Sequence, residues 1–330
     1  RRSDGGGLLL PRLVAVGDLD LGERVGLALD SADMDLPPAI DGCARTLVLA
    51  RLVRRMRERT GDPVTMGEAV RLAEQLGRTL DQLLIDEVDA SRLTDLVPVE
   101  LAHHWSETLA LLRIVVEAWP ALLAERGLID AADRRNRLFD GLARTWRVAP
   151  PEGMVVAAGI ANASPALARL LRTVAGLADG MVVLPALDTQ MPDDEWEALD
   201  DCDTHPQCAL KILLDAIGVA RGEVMTWRRA GGMDGPPARA RTVERAMAPA
   251  AFTGRWQQMR ARERRLTGVR FVETPTPAAE AQAIALALRG ALDTPGRTAA
   301  LVTPDRGLAR RVAAHLGRWG ISIDDSAGRP

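Results

Sequence analysis

The chain lacks tyrosine altogether and is poor in phenylalanine and cysteine, with three residues of each. Lysine occurs once, at Lys211, so arginine supplies nearly all of the positive charge. Three cysteines are too few for the disulfide framework of a small secreted domain, and they favour a reducing, cytoplasmic environment. No apolar run approaches the roughly 20 residues of a membrane-spanning helix, so we expect no membrane partner.

An excess of charge of either sign is also missing, because the formal net charge is −3 over 330 residues. Such a balance gives no overall attraction to nucleic acid or to an anionic membrane, and any such binding must come from local patches. The chain has 47% hydrophobic and 26% charged residues, which is typical of globular proteins. Its length is sufficient for two domains with their own cores.

Two catalytic signatures are missing as well. A nucleotide hydrolase needs a Gly-Lys-[Ser/Thr] loop that cradles the phosphates, but Lys211 lies in the run CALKILL with no glycine before it. A nucleophile elbow of the G-x-S-x-G type is also absent, since Ser164 in the run NASP lacks the second glycine. We therefore predict no catalytic site in this sequence.

The run LLIDEVD at 83–89 is similar to a Walker B segment, in which an Asp at the end of a strand holds the magnesium shell. The alternative is that Leu80 and Leu83 belong to one helix face, which makes Asp86 and Glu87 the polar end of that helix. We favour the helical alternative because the parts of a P-loop site act together, and the phosphate-binding loop is missing.

Cys202, His205 and Cys208 are spaced compactly enough to be metal ligands. Structural zinc usually takes four protein ligands, however, and Cys43 could become the fourth only through the fold. We favour a plain loop that enters a helix. The adjacent pair His103–His104 cannot converge on one metal, because neighbouring helical positions point about 100° apart. We predict no metal site.

Two kinds of charged surface remain open to more than one interpretation. Half of the residues from Asp188 to Asp203 are acidic, a composition that can hold a cation but more often forms a solvated loop, which we favour. Arginines recur on two predicted helices and could contact phosphates, although solvated helix faces are the alternative. They are Arg134, Arg135, Arg137 and Arg144 on one helix and Arg306, Arg310 and Arg311 on the other.

Apolar residues recur at helical spacing from about residue 23 to residue 149, which predicts an all-helical block. Thr65 and Glu68 form a capping box, and Asp130 is expected to cap a later helix. Pro120 either kinks a helix or begins a new one. The inner positions predicted for these helices are Leu49, Leu52, Val53, Met56, Ala69, Ala73, Leu76, Leu80, Leu83, Leu138, Leu142 and Trp146.

After residue 150 the pattern changes to that of an α/β fold. Apolar runs at 154–158 and 181–187 flank a helix that begins at Ser164, which predicts parallel strands covered on both faces. A further helix is predicted from about His205 to Ile217. Residues 228–245 are rich in Gly, Pro and Arg and are predicted to be a linker. Beyond it we predict a polar helix at 255–265, a strand at 269–272 and a helix after Pro277.

The last 35 residues, 296–330, predict a strand at 298–302, a helix from about Asp305 to Trp319 that stops at Gly320, and a second strand from Ile321. The apolar stripe predicted for this helix is Leu308, Val312, Leu316 and Trp319. An α/β fold places ligands beside strand ends, which makes the arginines early in this helix candidates for DNA contact. They are Arg306, Arg310 and Arg311. Because the sequence has no initiator Met and ends on an unfinished sheet, we expect an internal piece of a longer protein.

Several long runs, in the same order along the chain, resemble the AddB subunits of AddAB helicase-nucleases in their alphaproteobacterial form. The resemblance covers nearly the whole chain. The runs are LPPAI followed by LARLV, HWSETLALLRIVVEAWPALLAERGLIDAADRRNRL, VVLPALDT, HPQCALKILLD, and GRTAALVTPDRGLARRVAAHL followed by WGISIDDSAGRP.

This resemblance implies a protein of double-strand break repair and DNA recombination, built like a superfamily 1 helicase with two RecA-like domains and a large helical insertion in the first. The implied divisions are 1–22 (end of the first core segment), 23–149 (insertion), 150–227 (return to the first RecA-like domain), 228–267 (linker and helix) and 268–330 (start of a truncated second RecA-like domain).

The resemblance also implies a helicase-like portion without ATP hydrolysis, which binds an AddA-like motor in a heterodimer and guides DNA to a downstream nuclease domain. Helicases of this kind place a nucleotide-contacting arginine where this chain has Pro304, and Arg310 matches a second, more peripheral arginine. The implied iron-sulfur cluster and magnesium belong to the downstream domain, so Cys202 and Cys208 are not cluster ligands. The alternatives are an active superfamily 1 motor with its Walker A loop upstream of Arg1, and a protein-interaction module that uses the helical block.

Overall fold

A computed structural model of the chain describes residues 13–16, 36–89, 92, 114–227, 237–264, 266, 268–326 and 328. These residues are mostly helical and contain one small parallel sheet of two strands. They divide into two compact units, the first drawn from 1–234 and 243–259 and the second from 235–242 and 260–330. None of the helices described is both long enough and apolar enough to cross a membrane.

The first unit begins with the predicted helical block. Its capping box is confirmed, because Thr65 Oγ1 accepts from the Glu68 amide at 3.3 Å while Glu68 Oε2 accepts from the Thr65 amide at 2.9 Å. Pro120 lies in the first turn of a new helix that follows a π-helical turn at Ile114–Ala118. The part of the predicted helical block at 101–113, which includes His103–His104, lies outside the described residues. The helices are α1 (Gly42–Arg59), α2 (Met66–Ile85), α3 (Trp119–Glu125) and α4 (Ala131–Val148).

The predicted inner faces of these helices are confirmed. The buried apolar side chains of α1, α2 and α3 form one cluster, in which Leu49 and Trp119 are each 1% exposed. The inner side of α4 joins a second cluster with the α/β part of the unit. Complete burial of a side chain such as Leu49 stabilises the fold by roughly 1.5–3 kcal/mol. The buried members of α4 that were predicted are Leu138, Leu142 and Trp146.

Charged and polar side chains are buried together where the four helices meet. Arg45 on α1 pairs with Asp81 on α2 through two contacts of 2.9 Å, and its Nε lies 2.8 Å from Asp130 Oδ1. The other oxygen of Asp130 accepts from Trp119 Nε1 at 2.8 Å. Asp130 stands at the N-cap position of α4, but its side chain makes no capping bond. The prediction that it caps α4 is therefore wrong, because the arginine and the indole take both of its oxygens.

The α/β part of this unit contains the predicted strand-helix-strand element. Strand β1 (Val155–Ala158) pairs in parallel with β2 (Gly180–Val183), and α5 (Pro165–Ala175) connects them. A Cβ added at Gly180 would lie 1.9 Å from the Val174 carbonyl oxygen, so only glycine fits there. The strands are not covered on both faces as predicted, because their burial alternates and Val156 is 49% exposed.

The acidic stretch that follows is helical and does not form the predicted loop. It contains α6 (Asp193–Glu197) and a 3₁₀ turn at Ala198–Asp201. The predicted helix at 205–217 is confirmed as α7 (Cys208–Ile217), which begins three residues later than expected. Part of the predicted linker is also helical, as α8 (Pro237–Ala246).

The second unit is built on a helix pair, α9 (Pro277–Leu292) and α10 (Arg306–Arg318), as predicted. Its small core contains Ala281 and Ala285 from α9 together with Leu308, Val312 and Leu316, three of the four residues predicted for the apolar stripe of α10. The fourth, Trp319, is 36% exposed. Gly320 adopts a left-handed φ of 69° and ends α10. The Ile321 amide then bonds back to the Leu316 carbonyl at 3.1 Å, which is the Schellman pattern of helix termination.

Three strands predicted in this second unit, at 269–272, at 298–302 and from Ile321, do not form among the described residues. A strand needs a neighbour for its main-chain hydrogen bonds, and these segments make no ladder with one another. Leu301 packs against the helix pair, whereas its neighbour Val302 is 94% exposed. The region is therefore a helix pair with attached unpaired segments.

Asp130 gives rise to a prediction about pH. Burial raises the pKa of its carboxyl more than Arg45 and Trp119 lower it, so the folded state binds this proton more tightly than the unfolded state does. The stability of the parent relative to an Asp130→Asn variant should therefore be greatest at low pH and should fall as the pH rises through the raised pKa. Urea unfolding of both proteins between about pH 4 and pH 7 measures this difference. A difference that grew with pH would mean that attraction to Arg45 outweighs the cost of burial.

Candidate functional site

The three arginines predicted to contact DNA lie together on the first turns of α10. Arg306 is not free for that contact, because its two terminal nitrogens each lie 3.0 Å from an oxygen of Asp325. One of these nitrogens also donates to the Gly328 carbonyl at 3.3 Å. This two-pronged pair raises the pKa of Arg306. An anion that binds Arg306 must therefore compete with Asp325.

Asp305 stands at the centre of the same helix end. It is the N-cap of α10 and accepts from the Gly307 amide at 2.7 Å. Arg311 lies 3.6 Å from its carboxylate, and Arg310 Nε donates to the Arg306 carbonyl at 3.3 Å. Hydrogen bonds from the helix amides, assisted by the charges of Arg311 and Arg310, lower the pKa of Asp305. With Asp325 also present, three arginines face two carboxylates, and the local excess is a single positive charge.

The segment that resembles Walker B lies on a helix, as we favoured. Leu83 to Ile85 form the last turn of α2, and Asp86 is the C-cap residue. Glu87 follows with a left-handed φ of 53° and directs its carboxylate at Arg169. No strand of the described chain ends at this point. An Asp at a strand end, which a magnesium shell would need, is therefore not formed here.

Arg169 connects the helical block to the α/β part of the first unit. From α5 it donates to both oxygens of Glu87, one of them at 2.9 Å, and to both oxygens of Asp140 on α4 at 2.7 and 2.9 Å. These hydrogen bonds raise the pKa of Arg169. We call Arg169, Glu87 and Asp140 the arginine clamp. Sequence reasoning missed the clamp because Glu87 and Arg169 are 82 residues apart and no local spacing relates them.

The single lysine is also engaged in structural contacts. Lys211 on α7 is buried, and its Nζ donates to Asp200 at 2.6 Å and to Asp215 at 3.1 Å. These hydrogen bonds, the one to Asp200 above all, raise the pKa of the ammonium group, which burial alone would lower. Lys211 is therefore a structural cation that joins α7 to the acidic stretch.

The cluster of Cys202, His205 and Cys208 leads into α7 through successive turns. His205 Nε2 lies 2.6 Å from the Met247 carbonyl, and its Nδ1 accepts from the Gln207 amide at 3.1 Å. Both ring nitrogens are thus engaged in hydrogen bonds of the fold. Burial raises the pKa of the Cys208 thiol, assisted by nearby acidic residues. Among the residues that the structure describes, no group of three or more His, Cys, Asp or Glu side chains is arranged to hold a metal ion.

The carboxylates of the acidic stretch are mostly solvated, as we favoured, and four of the eight also form ion pairs. Glu195 is buried, and it pairs, like Asp194, with Arg255. Asp193 pairs with Arg221 at 2.5 Å. Because arginines and Lys211 neutralise many of these carboxylates, the stretch does not present the dense negative field that a cation site needs.

The other predicted basic face, on α4, is only partly exposed. Arg135 is buried, and the loss of hydration lowers its pKa. Arg137 pairs with Asp133 through contacts of 2.8 and 2.9 Å. Arg144 is exposed. Ser164, the other residue considered for chemistry, caps α5 by accepting from the Leu167 amide at 3.4 Å.

No protein-family model matches the chain, and no curated protein or solved structure matches it either.

The arginine clamp can be tested by substitution. We expect Arg169→Met to destabilise the protein by about 1 kcal/mol, since partly exposed ion pairs contribute little singly and this arginine serves two carboxylates. Arg172→Met, at an exposed position on the same helix, should change the stability by less than about 0.5 kcal/mol. Urea unfolding followed by circular dichroism measures both. Equal stabilities for the two variants would show that the clamp contributes nothing.

Proposed function

We propose that the chain is a helicase-like portion, without ATP hydrolysis of its own, of an AddB-like subunit that acts in double-strand break repair and recombination in the cytoplasm. In this proposal it binds an AddA-like motor and guides DNA toward a nuclease domain further along the polypeptide. The ordered runs of sequence that resemble this family support the proposal. The iron-sulfur cluster and magnesium ion belong to that further domain.

The observation that carries the non-catalytic part of the proposal is the engagement of Lys211 and Glu87, two of the residues considered for a nucleotide site. Lys211 is held by Asp200 and Asp215, and Glu87 is held by Arg169. Phosphoryl transfer needs a lysine and a carboxylate that are directed at phosphate and magnesium. Here both side chains instead join parts of the fold.

The architecture is consistent with RecA-like domains. In the first unit, a helical block precedes the parallel pair β1 and β2, as expected where an insertion interrupts a parallel α/β domain. In the second unit, Leu301 precedes α10 in the sequence and Ile321 follows it, and both side chains pack against α9 and α10.

Within this proposal, DNA runs past the first turns of α10. Arg310 pairs with no carboxylate at hydrogen-bond distance among the described residues, so it is the most available of the three arginines. Arg306 and Arg311 contribute to the extent that phosphate replaces Asp325 and Asp305. Contacts of this kind bind phosphate without reading sequence.

ATP hydrolysis tests the absence of a motor. We expect the full-length protein alone to show no DNA-stimulated hydrolysis, and we expect Glu87→Gln and Lys211→Met to leave hydrolysis by its complex with the partner motor within about twofold of the parent. A catalytic residue of a P-loop site would instead cost on the order of 100-fold or more. A steady-state phosphate-release assay measures both quantities. Substantial hydrolysis by the isolated subunit would establish an active superfamily 1 motor and refute the proposal.

DNA binding tests the α10 arginines. We expect Arg310→Ala to weaken binding by about tenfold and to reduce the slope of log affinity against log salt by about 1. Asp325→Asn should strengthen binding by about threefold or more, because it releases Arg306. Arg318→Ala, at the other end of the same helix, is the matched control. Fluorescence anisotropy over a salt series gives all of these values, and equal affinity of Arg310→Ala and parent would exclude this surface.

A further inference from the structure

Helix α1 is much more basic than the chain as a whole. Its 18 residues include six arginines and a single glutamate, whereas the whole chain has a net charge of −3. Carboxylates of the fold, solvent counterions or a bound anion can balance an excess of this size.

Half of these arginines are balanced internally. Arg45 is held by Asp81 and Asp130 in the buried cluster. Arg54 pairs with Glu58 at 3.4 Å, one helical turn away. A third, Arg57, pairs at 2.8 Å with the carboxylate that follows the helix, as Arg57 Nη1 to Asp62 Oδ2.

The remaining three are Arg51, Arg55 and Arg59, which we call the basic row. All three are exposed, and none has an ion-pair or hydrogen-bond partner among the residues that the structure describes. Their spacing of four residues places them on adjoining turns of one side of α1, about 6 Å apart along the axis and about 12 Å from end to end. Among the residues that the structure describes, the row is therefore a line of three unpaired cations.

The row is unfavourable for the isolated fold. Like charges four residues apart destabilise a helix, and the row contains two such pairs, Arg51 with Arg55 and Arg55 with Arg59. For Arg59 the helix dipole offsets part of this repulsion, since the residue lies in the last turn, where the dipole favours a cation. Arg51 and Arg55 lie too far from that end to benefit. Binding of an external anion would remove the repulsion.

The form of the row fits phosphates better than an acidic protein surface. A protein interface normally has an apolar centre, but the apolar residues between the arginines, Leu52 and Met56, pack into the core of the helical block. Leu47 is 48% exposed one turn before the row, and a single residue does not make an apolar patch. Planar guanidinium groups suit phosphate oxygens. A length of about 12 Å is comparable with the distance spanned by a few consecutive phosphates of one strand.

We propose that Arg51, Arg55 and Arg59 form a second DNA-contacting surface, on the helical block, which binds consecutive phosphates of one strand without reading the bases. This inference rests on the proposed function in one respect only, namely that the chain binds DNA. It assigns the row a role separate from that of the α10 arginines, because α1 belongs to the first unit and α10 to the second.

The test compares three triple variants of the full chain on a fluorescein-labelled DNA duplex over a salt series. Replacing the row by glutamine (R51Q/R55Q/R59Q) should weaken binding by at least about tenfold at 100 mM salt and make the slope of log affinity against log salt less negative by about 2 to 3. Replacing it by lysine should keep the slope of the parent, since the charges remain. The matched control R78Q/R126Q/R147Q removes three exposed arginines elsewhere in the same unit and should keep the slope.

A thermal melt separates this effect from misfolding. The glutamine variant should unfold at the same or a higher temperature than the parent, because it loses two repulsive pairs. An unchanged slope in that variant, or an equal change in the control variant, would overturn the inference and leave the proposed function intact. Loss of binding to the partner motor with unchanged DNA binding would also overturn it, in favour of a protein interface. No DNA binding by the parent at any salt concentration would instead refute the DNA-binding role itself, and the inference with it.

Discussion

The helical block depends on one buried carboxylate. Asp130 faces Arg45 from α1 and the indole of Trp119 from α3, while the same arginine also holds Asp81 on α2. A buried charge is costly unless it is paired and hydrogen-bonded, so the four helices must keep the positions that satisfy this one group. The cluster specifies how the helices are arranged more than it adds to their stability, since burial still raises the pKa of Asp130. Apolar packing around Leu49 and Trp119 supplies the stability itself.

The need to pair charged groups also explains why residues that were candidates for a catalytic site in the sequence make structural contacts in the fold. With one lysine, four histidines and no tyrosine, the chain has few side chains other than carboxylates that commonly exchange protons in catalysis. Arginine must also balance most of the carboxylates. Glu87 and His205 each bond to a group far from them in sequence, and Lys211 bonds to two nearby carboxylates. A side chain held in this way is oriented toward the protein and is poorly placed to serve a substrate. The proposed absence of a catalytic site rests on this engagement.

The sequence predicted those features that depend on neighbouring residues. The capping box of Thr65 and Glu68, the apolar stripe of α10 and the stop at Gly320 are all determined within a few positions, and each is confirmed. Features that depend on distant residues were not predictable. The prediction that Asp130 caps α4 failed because the arginine that competes for its carboxylate comes from α1, far away in sequence. The prediction of a strand at 298–302 failed because an apolar run does not reveal whether a neighbouring strand exists to pair with it. For the candidate site, the positions of Arg306, Arg310 and Arg311 on one helix end were predictable, but the carboxylate opposite Arg306 was not.

The arginines of α10 and the basic row of α1 differ in whether carboxylates of the protein compete with phosphate for them. At α10 carboxylates lie beside the arginines, so a phosphate gains only the difference between its own attraction and that of Asp325 or Asp305. At α1 the row has no such competitor among the described residues, and a phosphate gains the full interaction together with relief of repulsion. Within the proposed function, a phosphate should therefore bind more strongly at the row than at the arginines of α10.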